Sequence, residues 1–159
     1  MNDSSDKQHS PKKSDLCFPL TDAVRTWNAL QEAQEAVYRR FSARLAEWGL
    51  SIPKYVVLLQ LYNHESLRPS KIGDLVSRCD SNLTTLIDRM ERDELVEKTH
   101  HATDRRVKEI LLTTKGREIA PQVIKAARQF LDELISTILS EEEQKALIQM
   151  LRRITVLIP

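Results

Sequence analysis

The sequence is poor in glycine, cysteine and aromatic side chains, and it has almost no net charge. Three glycines and 5% aromatics in 159 residues argue against an all-β fold, which needs turn formers and ring-bearing strands. The two cysteines, Cys17 and Cys79, are widely separated. They make neither a disulfide framework nor a Cys-x-x-Cys metal or redox pair. A formal charge of +1 supplies no bulk basic footprint, so any affinity for nucleic acid has to come from local pattern. No apolar run approaches the length that spans a bilayer. The opening MNDSSDKQHSPKKSD lacks the apolar core of a secretory signal, and the expectation is a cytoplasmic protein without a membrane partner. There is no Gly-rich phosphate loop, no His-Glu-x-x-His and no Gly-x-Ser-x-Gly. His100 and His101 are adjacent, so on a strand they point to opposite faces and cannot share a metal. Neither an enzyme nor a cofactor or metal is expected.

What is present is helical periodicity. Residues 1–15 are polar and read as a disordered tail, followed by a single unit over 16–159. Leu20, Val24, Trp27, Gln34, Tyr38, Phe41, Leu45 and Trp48 recur at helical steps, with Gln34 a flaw, and Gly49 stands where a C-terminal cap belongs. Pro53 opens a second helix with Tyr55, Leu58, Leu59 and Tyr62 as its inner face. Pro69 opens a third, with Ile72, Leu75, Val76 and Cys79 inside. Asp80 or Ser81 can cap a fourth, whose stripe is Leu83, Leu86, Ile87 and Met90. Residues 95–100 and 107–112 then read as two short strands around a charged tip. Thr113 or Thr114 starts a fifth helix, which Pro121 should bend or divide. Ser140 and Glu143 form a capping box for a sixth.

The reading is a mainly α fold with a small β-hairpin wing: a winged helix-turn-helix over about 52–112, flanked by dimerisation helices over about 20–48 and 113–158. The fourth helix would turn Ser81, Asn82, Thr84, Thr85, Asp88 and Arg89 outward. These are short hydrogen-bonding side chains and a guanidinium, a set that suits the base edges of a major groove. At the wing tip, Asp104 can orient Arg106 through the Asp-x-Arg spacing, with Arg105 beside it for phosphates or a narrow minor groove. Ser70, Arg78 and Lys108 complete the candidate DNA contacts. Residues 78–108 hold seven basic and seven acidic side chains, so any binding depends on how the signs are distributed over the faces. The apolar surface of the terminal helices exceeds what one winged unit can cover. That predicts a homodimer on a pseudo-palindromic double-stranded operator, with half-sites roughly 10 bp apart.

Four segments, taken together, resemble the MarR-type family of multiple-antibiotic-resistance regulators: DSNLTTLIDRME at 80–91, LVEK at 95–98, DRR at 104–106 and LTTKG at 112–116. They look like the family's recognition helix, first wing strand, wing tip and the opening of the next helix, and the likeness covers roughly 20–159. The resemblance implies a DNA-binding transcriptional regulator, a repressor released by a small molecule. It also implies a small aromatic or phenolic effector, for which Trp27, Tyr38, Trp48 and Tyr55 are candidates. Cys17, in Leu-Cys-Phe, is similar to the reactive-cysteine region of the family's hydroperoxide sensors, which leaves a thiol-based redox regulator as an alternative. A winged-helix protein-interaction module without DNA is another. Glu94 stands where the family often has Gly before the wing, a turn that should then be either strained or differently built.

Overall fold

The computed structural model describes residues 21–76, 82–100 and 108–157. Its elements run α1 (Asp22–Ala46), α2 (Ile52–Asn63), α3 (Pro69–Val76), α4 (Leu83–Arg92), β1 (Val96–His100), β2 (Lys108–Leu112), α5 (Thr114–Ser136) and α6 (Glu141–Leu157). The chain divides at Val37/Tyr38 into two units, each described by itself. Residues 21–37 hold the first turns of α1, where Thr21 Oγ1 accepts the Val24 N–H at 3.4 Å. Everything from Tyr38 onward forms the second unit.

The second unit is built on α2. Its two ends show why the flanking turns fold as they do. After α1, Gly49 at φ +68° lets the Gly49 and Leu50 N–H groups donate back to Ala46 and Leu45, closing the helix with a left-handed residue. Pro53 then sits in the first turn of α2, where a missing N–H costs nothing. α2 buries Ile52, Pro53, Tyr55, Val57, Leu58 and Leu61. The sequence reading put Tyr62 on the inner face; Tyr62 is half exposed, and Val57 and Leu61 are inside instead. Trp48, expected within the α1 stripe, lies beyond the end of α1 and is 40% exposed. In the second unit only Phe41 and Leu45 of that stripe are buried. Phe41 meets Tyr55 edge-on at 5.3 Å and stacks on Phe130 of α5 at 6.3 Å.

β1 and β2 pair antiparallel from Val96–Leu112 to His100–Lys108. Leu67 bonds Ile110 in both directions at 2.9 Å, which ties the segment before α3 to the wing. The hairpin joins α5 at a tight joint. Thr113 caps α5 by accepting the Gly116 N–H at 3.0 Å, and its hydroxyl donates to the Glu94 carbonyl at 2.5 Å. A Cβ on Gly116 would fall 2.1 Å from the Leu95 carbonyl oxygen, so no other residue fits there. α5 is one helix from Thr114 to Ser136, undivided by Pro121. The expected box opens α6: Ser140 N–H donates to Glu143 at 2.8 Å, and Glu143 N–H to Ser140 Oγ at 3.3 Å.

Candidate nucleic-acid interface

α4 packs against α2, α3 and β1. Leu86, Ile87 and Met90 are buried and Leu83 partly so, as the stripe predicts. At 100° per residue, this anchor turns Thr85, Asp88 and Arg92 directly outward, Thr84 and Glu91 toward the wing, and Arg89 toward α2. Asp80 and Ser81, expected as caps, lie outside the described residues, and the cap is Asn82. Its side-chain oxygen accepts the Thr85 N–H at 3.3 Å. That bond occupies the oxygen and leaves the carboxamide NH₂ without a partner among the described residues.

Two grooves flank the helix. The first, about 320 Å³, runs between α4 and the start of α2 and is lined by Ser51, Lys54, Asn82, Thr85 and Arg89. Lys54 reaches across to Asp93 at 2.6 Å. The second, about 230 Å³, separates α4 from the wing; Thr84, Asp88, Lys98 and Lys108 line it over an apolar floor that includes Leu83, Ile87 and Ile110. There Lys98 donates to Asp88 at 2.6 Å and to Glu91 at 2.7 Å. These hydrogen bonds, Asp88 first, raise the Lys98 ammonium above the ordinary lysine value of 10.5. Ser70 is exposed in the first turn of α3, on a third groove of about 400 Å³ with Arg68 and Lys71.

Asn82, Thr84, Thr85, Arg89 and Lys108 are thus exposed along one helix and the adjoining wing strand, with Ser70 exposed at the start of α3. Arg78, Ser81, Asp104, Arg105, Arg106 and Cys17, and with them the wing tip, lie outside the described residues. Sequence reading missed Arg92, which follows Thr85 by seven positions and so shares its outward face, and Lys54, which enters the first groove from another helix. Of the aromatic candidates, Tyr55 is buried in the core. Burial raises its hydroxyl pKa, opposed by the Arg128 charge. Trp27, Tyr38 and Trp48 are exposed, and none of them lines these three grooves.

A helix held by its apolar stripe with a polar outer face, preceded by two short helices and followed by a hairpin, is a winged helix-turn-helix. The sequence profile of the MarR family matches residues 50–108, the span from the α1–α2 turn to the start of β2. The HTH-type transcriptional regulator MhqR of Bacillus subtilis is 27% identical over 132 residues, 83% of this chain and 90% of that protein. Among solved structures, AbsC of Streptomyces coelicolor, a MarR family transcriptional regulator, superposes with a TM-score of 0.76 at 25% identity, covering 86% of this chain and 94% of that one. A mutant of Escherichia coli MarR complexed with operator DNA has the same fold, with a TM-score of 0.74 at 19% identity and coverage of 89% and 99%. Over residues 50–108 the chain is similar to the MarR family, and its fold is that of MarR-type winged-helix structures.

Proposed function

We propose that this protein is a sequence-specific DNA-binding regulator of transcription, a cytoplasmic homodimer that represses by occupying a pseudo-palindromic operator and is released by a small aromatic or phenolic effector. The observation that carries this reading is the outer face of α4. A helix whose inner side is fixed by Leu86, Ile87 and Met90 presents Thr84, Thr85, Arg89 and Arg92 without any protein element covering them among the described residues. Short hydroxyls and guanidinium groups suit major-groove base edges and the phosphates beside them. Arg78, Ser81 and the wing tip belong to the same reading, with Asp104 orienting Arg106 toward the minor groove and Arg105 and Lys108 on the backbone.

Dimerisation is supported by α6. Leu147, Ile148, Met150, Leu151, Ile154 and Val156 are each between 37% and 81% exposed, a density of apolar surface that monomers seldom leave in water. Two copies would also double the cationic contacts of a chain with a net charge of only +1. Relatives support the assignment by their names: MhqR is a transcriptional regulator, and E. coli MarR is seen on operator DNA.

The test is a gel-shift titration with genomic fragments at two salt concentrations, alongside light scattering. Expected are a scattering mass of twice the 18.4 kDa chain and one or a few fragments retained at the higher salt. Binding that is uniform across fragments, or a monomer with full affinity, would overturn the reading. Within a retained fragment, Arg106→Ala is expected to weaken specific binding by roughly 1–3 kcal/mol.

A further inference from the structure

We infer that Lys98 is a positioning residue that clamps the wing to the DNA-facing helix, and that it makes no phosphate contact of its own. The inference rests on the DNA-binding reading and adds a role to a side chain that reading does not use.

The strand register makes Lys98 anomalous. Val96 and Lys98 alternate onto one face of β1. The partners of Val96 and Lys98 across the ladder, Leu112 and Ile110, are both buried. An apolar residue is the ordinary occupant of position 98 on such a face. The lysine instead lays its stem along the groove floored by Leu83, Ile87 and Ile110 and carries its ammonium to the edge, where Asp88 and Glu91 take it at 2.6 and 2.7 Å. Those two carboxylates lie three positions apart, on adjacent turns of α4. One cation therefore bridges two points of the helix to one point of the strand.

The bridge has an electrostatic consequence. Asp88 lies on the outward face of α4 and Glu91 on the flank toward the wing. Unpaired, both would repel phosphate. With Lys98 between them the two acids and one base carry a net charge of −1 in place of −2. A lysine committed to two carboxylates releases no counterion from DNA, so it makes no contribution to the salt dependence of binding.

The experiment compares wild type, Lys98→Met and Lys98→Arg on a retained operator fragment and on a nonspecific duplex across a salt series, with amide hydrogen exchange of β1 measured on free protein. For Lys98→Met the expected result is roughly a tenfold loss of operator affinity, with a clearly smaller loss on the nonspecific duplex from the two unpaired carboxylates, and the slope of log K against log salt nearly unchanged. The β1 amides should exchange faster, and Lys98→Arg should restore both readouts. A slope reduced by about one, with operator and nonspecific affinity falling together, would mean that Lys98 touches phosphate and would overturn the inference. Unchanged exchange in Lys98→Met would overturn the clamp whatever the DNA result. A wild-type protein that retains no operator fragment but shows the exchange difference would fail the DNA-binding reading and leave the clamp as a wing-anchoring contact.

Discussion

Glu94→Gly tests how the wing is joined to α4. Glu94 is the one non-glycine residue at positive φ among the described residues, at +60°. It closes α4 much as Gly49 closes α1: the Glu94 N–H donates to Glu91 and the Leu95 N–H to Met90, each at 2.9 Å. A side chain in that conformation costs about 1–2 kcal/mol. Glycine relieves this but loses roughly 0.5–1 kcal/mol to the greater freedom of the unfolded chain. The substitution also deletes the Lys115–Glu94 pair at 3.1 Å, whose side chains are 50% and 77% exposed. Such a pair contributes about 0–1 kcal/mol. The terms nearly cancel, so Glu94→Gly is expected within about 0.5 kcal/mol of wild type. Glu94→Ala removes the same ion pair and keeps the strain. The glycine variant should therefore be more stable than the alanine variant by about 0.5–1 kcal/mol, or roughly 1–4 °C in Tm. Thermal melts at matched protein concentration measure the difference. An alanine variant equal to or more stable than the glycine variant would refute the strain argument. Gly49→Ala, at φ +68° with open space around its Cβ position, should lose about 1 kcal/mol in the same assay.

Gly116→Ala is expected to destabilise by roughly 3 kcal/mol or to displace the wing base, because its new methyl meets the Leu95 carbonyl; a melt unchanged within 1 °C would contradict the geometry. Leu86→Ala should cost roughly 2–5 kcal/mol in stability, whereas Thr85→Ala should change DNA binding and leave the melt alone, and the reverse pattern would mean that the phase of α4 is wrong. Arg89→Ala and Arg92→Ala should each lower the salt slope of DNA binding by about one if they lie on phosphates. An unchanged slope in both would move the contact surface off this face of α4.

The sequence made legible those features that have a local chemical signature. Gly49, Pro53 and the Ser140–Glu143 box each mark a helix end through one or two residues. The α4 stripe is readable because only one side of that helix is buried. α2 is buried over a wide arc, so no spacing separates Leu61 from Tyr62. Asp80, Ser81 and Asn82 are three consecutive good caps, and composition does not say which one the chain uses; Asn82 does. Aromatic character marked Tyr55 as a ligand candidate with the same weight as Trp27, although one is buried against Phe41 and the other is 61% exposed. The Lys98 bridge and the Lys54–Asp93 pair span 7 to 39 positions, and such contacts leave no local pattern to read.

The joint between Leu95 and Gly116 has a mechanical meaning. The wing base and the first turn of α5 touch through backbone: the Thr113 N–H donates to the Leu95 carbonyl at 3.2 Å, and that same carbonyl stands where a Cβ on Gly116 would lie. Side chains can swing or swap rotamers to absorb a shift, but main-chain atoms in contact cannot. The joint therefore has no slack, and a tilt at the start of α5 carries the root of the hairpin with it.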